Sequence, residues 1–489
     1  MKNSIVLGFW LLAFGALPAN AQQILSLDSC RAMALRNNKQ MGVAKLKQDV
    51  AANLKKSART KYLPHVSAMG TYVHTSEEVS LLNSDQKSSL SNLGTNALGQ
   101  AGGMLGNLGL PMEILQQSPE LMQSVSDAAN ALNAGGQKVV DAFRTDTRNI
   151  FAGTVMVTQP VFLGGSLVAL NKLADINEDM TQNSTDAKRQ ALLYNTDQAY
   201  WQVVSLKHKK RLAESYLELV RKFDGDVQKM IEQGVATRSE GLSVSVKVNE
   251  AELTLQKVDN GLVLSKMLLC QRIGLPLDAD VTLADEDADH LTIVALEPQA
   301  NVSLAVENRP EMKMLGNAVD MSKQVTNILK AGNLPQVALM GGYIVSNPNV
   351  LNGFEKKFRG MWNVGVLVRV PLWNWGDVAY KVRASKGATA IAQLEREEAR
   401  ELMELQVNQN SFKVDEANKR LVMAQTGIEK ANENLRTANL GFSEGVIAPT
   451  VVLEAQTAWL QAQSQLIDAE IDVKMSQVDL RKAMGTLDN

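Results

Sequence analysis

Apolar residues fall at Ala417, Leu421, Ala424, Ile428, Ala431, Leu435, Ala438 and Phe442, in steps of four and three without a break. The stripe pauses at Glu444-Gly445-Val446. It resumes at Val452, Ala455, Trp459, Ala462, Leu466, Ala469, Val473, Ser476, Leu480 and Ala483. A 3.5-residue period is that of a coiled-coil seam, which keeps one stripe facing a partner turn after turn. Large and small residues alternate along both arms, so a bulky side chain can sit opposite an alanine and the helices can approach closely. The stretch from Leu394 to Gly485 is therefore expected to form a long antiparallel helical hairpin, packed along its whole length.

Composition narrows the class. Of 489 residues 45% are hydrophobic, and the formal net charge is -2, so the chain lacks the basic excess that a nucleic-acid partner requires. Lys2, the apolar run Ile5 to Leu17 and Ala19-Asn20-Ala21 form a secretory signal peptide over residues 1–21. No other apolar run approaches the ~20 residues of a membrane-spanning helix. The chain is thus expected to be exported, and any crossing of a membrane must use strands. Cys30 and Cys270 fit either a disulfide, as exported chains permit, or buried thiols, as their amphipathic helical surroundings suggest.

The chain also repeats itself. Leu63-Pro64-His65-Val66 through Tyr72 returns as Leu334-Pro335-Gln336-Val337 through Tyr343. Val157 to Gly274 maps without a gap onto Val368 to Gly485, which brings Pro160 onto Pro371 and Gly234 onto Gly445. The two offsets differ, so the first copy carries an insertion. The organisation read from this is a first repeat over 22–274, a linker over 275–303 and a second repeat over 304–489.

Each repeat reads as helix, strand pair and long helical hairpin. Pro64 and Pro335 end the leading helix, because the residue before proline is pushed out of the helical region. The clearest strand is Trp362 to Val370, with Trp362, Val364, Val366, Val368 and Val370 on one face and Asn363, Gly365, Leu367 and Arg369 on the other. Such alternation with an aromatic at one end suits a strand between lipid and lumen. Pro160 and Pro371, each followed by glycine, mark the redirection from strand to helix, so these four prolines define the junction of strands and helices. Helices are expected from Ser166 to Glu232 and from Asp377 to Ser443, each reaching about 100 Å. Lys210 and Asp224 interrupt the seam of the first hairpin, which predicts looser packing there than in the second.

The insertion, residues 76–150, is rich in Ser, Asn, Gly and Gln. Turns are expected at Gly94, Gly102-Gly103 and Gly135-Gly136, with either short amphipathic helices or disorder within Met112 to Ala134. Because it joins two strands of one hairpin, it must lie at the end away from the helices. The linker's acidic run, Asp285-Glu286-Asp287, reads as a solvated surface. Enzyme chemistry is not indicated. His65, His74, His208 and His290 lie far apart, and no phosphate loop, zinc motif or nucleophile elbow is present. No cofactor and no metal are expected.

Four strands cannot close a barrel, and open edges cannot face lipid. Three copies supply twelve strands, and the duplication makes their helical part close to six-fold. The fold class expected is an α+β membrane protein: a trimeric 12-stranded transmembrane β-barrel, four strands per chain, continued by a periplasmic coiled-coil barrel.

The duplicated Leu-Pro-x-Val entries, Pro160 and Pro371, the two glycine turns and the close Ala483-Met484-Gly485-Thr486-Leu487 resemble the TolC family of outer-membrane efflux channels. The resemblance covers Leu25 to Leu487. It implies a homotrimer in outer-membrane lipid with its helices in the periplasm, a periplasmic adaptor (membrane-fusion) protein and an inner-membrane transporter as partners, and export of drugs or toxic compounds. The exit duct of a type I protein-secretion system is the second reading. A periplasmic coiled-coil structural or adhesive protein without a pore is the third.

The resemblance also assigns roles at the tips. Gly234, Val235, Gly445 and Val446 occupy the adaptor-docking turns. Glu454 matches one acid of the pore constriction, and Glu240 matches an acid of the latch. The family's Tyr and Arg latch partners correspond to Phe442 and Ile447, so the usual latch is missing; Arg238 is the substitute available. A solvated helix face is the plain alternative for both Glu240 and Glu454.

Overall fold

The computed structural model describes residues 24–77, 82–107, 119–143, 148–288, 301–349 and 355–488. The signal peptide and His290 lie outside these residues. In chain order the elements begin with β1 (Ile24–Leu25), α1 (Leu27–Asn37), α2 (Lys39–Thr60) and β2 (His65–His74). Then come α3 (Ser84–Ser91), α4 (Leu93–Asn107), α5 (Pro119–Ala142) and β3 (Asn149–Leu163). The first hairpin is α6 (Ser166–Glu232) and α7 (Arg238–Ile273). After it follow β4 (Thr282–Leu283), α8 (Val302–Asn308), α9 (Pro310–Lys330), β5 (Gln336–Asn347) and β6 (Arg359–Arg369). The second hairpin is α10 (Asp377–Ser443) and α11 (Pro449–Met484). Two compact units result. One takes the described residues of Met1–Lys56, Leu170–Thr326 and Lys381–Asn489; the other takes those of Ser57–Ala169 and Asn327–Tyr380.

The helical unit holds both hairpins. The long arms α6 and α10 each have 67 residues, and the return arms α7 and α11 each have 36. The stripe read from the sequence is the buried face: Ala417, Leu421, Ile428, Ala438, Val452, Ala455, Ala469, Val473, Ser476, Leu480 and Ala483 are all buried. The first hairpin is not the looser one. Val220, Val227 and Val244 are fully buried, because α6 and α7 pack on each other and also against Trp459, Leu460 and Leu453 of α11. Its polar interruptions are paired: Lys210 Nζ donates to Asp259 at 2.5 Å, and Ser245 Oγ donates to Asp224 at 3.0 Å. Both hairpins also carry exposed apolar residues, Leu242, Val246 and Leu253 on α7 and Leu394, Leu402, Leu405 and Phe412 on α10.

A second core surrounds α1. Tyr200, Val203, Val204, Leu269 and Ile273 are buried there with Cys30 and Cys270. Both thiols are free, so the disulfide alternative is not the one adopted. Burial, with Cys270 beside it, pushes the Cys30 thiol up to about 12. Arg31 clamps the fully buried Asp197 with two bonds of 2.7 and 2.5 Å, which fixes α1 to α6. The acidic linker run is solvated only at Asp287; Asp285 is half-buried and Glu286 is buried. Strand β4 pairs in parallel with β1, and this carries the run onto the helices. There Tyr200 Oη donates to Asp285 at 2.6 Å, Lys266 Nζ stands 3.4 Å from the buried Glu286, and Arg211 pairs with Asp287. A tyrosine hydroxyl and two cations on α6 and α7 supply the partners that a reading of charge runs does not reveal.

The second unit is a four-stranded antiparallel sheet, ordered β2-β3-β5-β6. The registers Tyr72↔Phe151, Val66↔Val157, Val155↔Tyr343 and Tyr343↔Trp362 put these residues on one face, together with Leu339, Val364, Val366 and Val368. The opposite face is mixed: Ser67, Thr71, Thr154, Thr158, Asn363 and Arg369 alternate there with Met69, Ile150, Met156, Met340, Ile344, Met361 and Leu367. Both outer strands, β2 and β6, are exposed along their whole length. Strand β6 starts three residues before the expected Trp362 and ends one before Val370. Pro64 and Pro335 stand immediately before β2 and β5, and Pro371 lies just after β6. Pro160 departs from the expected pattern. It lies inside β3, where a register shift between Pro160 and Phe162 absorbs it, and the chain turns only at Gly164-Gly165. A bulge accommodates a proline within a paired strand because one residue leaves the ladder.

The insertion is more helical than expected. Gly94, Gly102-Gly103 and Gly135-Gly136 lie inside α4 and α5, and the described part of Met112–Ala134 belongs to the single 24-residue α5.

Candidate functional site: the two hairpin tips

The tips are built bond for bond alike. At the first, the Gly234 amide donates to the Ile231 carbonyl at 3.0 Å and the Val235 amide to the Met230 carbonyl at 2.9 Å. At the second, the Gly445 amide donates to Phe442 at 2.9 Å and the Val446 amide to Gly441 at 2.9 Å. This is the Schellman closure, in which one left-handed residue satisfies the last helical carbonyls. Gly234 and Gly445 have φ of +76° and +74°, a region glycine enters without the steric cost of a Cβ. The side chains next to them, Val235 and Val446, are 67% and 80% exposed, so both turns present an apolar apex.

The helices restart differently. Thr237 caps α7: its Oγ1 accepts from the Glu240 amide at 3.2 Å, and the Glu240 carboxylate accepts from the Thr237 amide at 2.7 Å and hydroxyl at 2.8 Å. These bonds hold the Glu240 carboxyl below its ordinary value, the backbone bond contributing most. The pattern Thr-x-x-Glu before an apolar run is a capping box, so this role for Glu240 was open to view in the sequence and was missed. At the second tip, Ala448 takes the cap position without a side-chain bond and Pro449 opens α11. Val451 stands where Glu240 stands in the first copy.

The two tips share one apolar cluster. Phe223, Val227, Val244, Ala438, Val452 and Leu453 are buried together, with Ile231, Leu435, Phe442 and Ile447 against them. Phe442 meets Phe223 at 4.9 Å between ring centroids, tilted by 59°. The structure thus packs both Phe442 and Ile447 against the shared cluster. It leaves Arg238 and Glu454 exposed, and the Glu240 carboxylate is engaged within its own turn. Among the described residues, no group of three His, Cys, Asp or Glu side chains could hold a metal ion. No described helix is long and apolar enough to cross a membrane.

A four-stranded antiparallel sheet with one apolar and one mixed face, and two very long helical hairpins on the same chain, are the parts of an outer-membrane channel with a helical extension. The chain belongs to the outer membrane efflux protein family, which matches residues 115–274 and 301–486. It is 22% identical over 351 residues to the outer membrane protein TolC of Vibrio cholerae, covering 69% of this chain and 77% of that one. It is 24% identical over 376 residues to the toxin and drug export protein A of Aggregatibacter actinomycetemcomitans, covering 71% and 80%. Its fold superposes on the CmeC outer membrane channel of Campylobacter jejuni with a TM-score of 0.72 and 14% identity, over 94% of this chain and 86% of the other. As a member of that family the chain is a channel component of an outer-membrane export system.

Proposed function

We propose that three copies close into a twelve-stranded barrel and a hollow helical conduit, through which drugs and toxic compounds leave the periplasm. The observation that carries this reading is the pair of open edges, β2 and β6, on a sheet with an apolar face. Each unpaired backbone group facing hydrocarbon costs several kcal/mol, so an edge left in lipid is untenable. Pairing β6 of one copy with β2 of the next removes every edge. The exposed Leu394, Leu402, Leu405 and Phe412 of α10 supply the matching helical contact, facing exposed Val43, Leu46, Val50 and Leu54 of α2 or Leu242, Val246 and Leu253 of α7 in a neighbour.

In this reading an inner-membrane transporter feeds the conduit through a periplasmic adaptor, which docks on the tips around Gly234, Val235, Gly445 and Val446. The tips also carry the gate. Packing of Phe442 and Ile447 replaces the absent latch, with Arg238 and Glu240 beside it and Glu454 lining the constriction. The relative named for toxin as well as drug export supports the protein-secretion reading to the same degree, and affinity capture of the native adaptor separates the two. Light scattering of the purified protein in detergent, with single-channel recording in planar bilayers, tests the assembly. A trimer that conducts is expected; a monomer, or a trimer that never conducts, removes the proposal.

A further inference from the structure

The insert between β2 and β3 is not needed to complete the sheet, since the equivalent strands β5 and β6 are joined by residues 348–358 alone. It is nevertheless a built helical layer. At Gly94 an added Cβ would lie 1.9 Å from the Ala129 carbonyl oxygen, and at Gly136 it would lie 1.7 Å from that of Leu90. Asn133 Oδ1 accepts from the Gly94 amide at 2.7 Å, and its Nδ2 donates to Thr95 Oγ1 at 2.8 Å. These contacts hold α3 and α4 against α5.

The outer surface of this layer does not suit open water. The described parts of Ser84–Ala142 carry Asp85, Lys87, Glu120, Asp127, Lys138 and Asp141 as their charged residues, far below the ~25–35% of a well-solvated surface. Leu93, Leu121, Met122, Leu132 and Val139 are exposed. A groove of about 990 Å³ opens between α4 and α5, lined by Leu98, Met122, Val125 and Ala129 among others. Such a face is covered in the working molecule.

The point of attachment identifies the cover. The insert leaves the sheet at His74, the end of β2, and β2 is the open edge at which the next copy must pair. It therefore begins at the subunit boundary of the proposed trimer, on whose existence this inference rests. Twelve strands ~4.8 Å apart and tilted ~40° enclose a ring roughly 24 Å across. The 24 residues of α5 span about 36 Å, more than enough to reach the centre from the rim. We propose that the three inserts meet over the outer mouth of the barrel and pack their apolar faces on one another, so that they form a cap that restricts entry from outside.

Two measurements test the cap without depending on the state of the tips. In a Cys30→Ala, Cys270→Ala background, Leu121→Cys or Leu132→Cys treated with a short bis-maleimide in intact outer membranes should give a dimer-sized band. Separately, Asn363→Cys, on the face of β6 opposite Trp362, Val364 and Val366, reports access to the lumen from an impermeant maleimide added outside whole cells. Replacing residues 84–142 with a short Gly-Ser link should speed that labelling at least tenfold. The double change Leu121→Glu, Leu132→Glu, which alters two exposed positions only, should do the same to a lesser degree. Monomer-only bands, links solely to other proteins, or unchanged labelling in both variants each overturn the cap. Light scattering separates the causes: a protein that is not trimeric overturns the assembly, whereas a trimer with unchanged labelling overturns the cap alone.

Discussion

Thr237 and Glu240 do for α7 what Pro449 does for α11: each fixes the first turn after a tip, one by reciprocal side-chain bonds and the other by a locked φ. Thr237→Ala removes a cap bond generally worth ~1 kcal/mol, and hydrogen exchange at the tip amides should quicken accordingly while the distant core is unaffected. The pH dependence has a definite sign. The folded Glu240 carboxyl titrates below its ordinary value, so its contribution is fully present above that value and is lost as pH falls through the lowered one. Protection of the first tip should therefore persist at neutral pH and decline only below about pH 4. Glu240→Gln keeps a capping side chain without the titration and should flatten this decline. A decline that survives the substitution would assign it to another group. Arg31 and Asp197 raise the stakes further inside. Arg31→Met strands the fully buried Asp197 carboxylate, a change that typically costs about 3–5 kcal/mol, whereas Arg31→Met with Asp197→Leu should recover most of the loss. Thermal melting of the assembled protein measures both.

At the scale of elements, what the sequence shows well is whatever a period dictates. The bounds of α6 and α10 agree with the expected Ser166–Glu232 and Asp377–Ser443, because the apolar stripe runs on until a left-handed glycine stops it. The prolines before β2 and β5 were equally legible. Elements decided by distant partners were not. Pro160 sits in a paired strand only because a bulge beside β5 tolerates it, and the run Asp285–Asp287 finds Tyr200, Lys266 and Arg211, all well separated from it in sequence. The insert's glycines look like turns locally, yet they serve helix crossings. The same limit governed the expectation of a loose first hairpin: Lys210 and Asp224 break a stripe, but their partners on α7 were not visible in it. Exposed apolar residues on α10 pose the complementary question, since the proposed trimer places their partner in another copy. Phe412→Asp should leave the helical content unchanged by circular dichroism and shift the protein from trimer toward monomer in light scattering. Retention of a trimer of equal stability would exclude this face from the interface.

For the whole molecule, the tips concentrate the remaining chemistry, because the proposed trimer brings six turns to one place. Glu454 is exposed on α11 between the buried Leu453 and Ala455, so it points away from the shared apolar cluster. In a three-fold conduit that direction gives a ring of three carboxylates. Rings of acidic side chains favour cations, and low-dielectric walls focus their field. The effect must also screen: the Debye length is about 10 Å at 0.1 M salt and about 3 Å at 1 M, so selectivity set by such a ring weakens as salt rises. Glu454→Gln should move the reversal potential in a potassium chloride gradient toward zero, with a larger change at 0.1 M than at 1 M. Charge reversal at Arg238, which is exposed near the first turn, should alter resting conductance in the same recordings. If Glu454→Gln leaves the reversal potential unchanged, Glu454 does not line the constriction. If Arg238→Glu also leaves conductance unchanged, the gate is closed by the packing of Phe223, Phe442 and Ile447 alone. Phe442→Ala should then raise the open fraction, as it removes the ring that bridges the two hairpins.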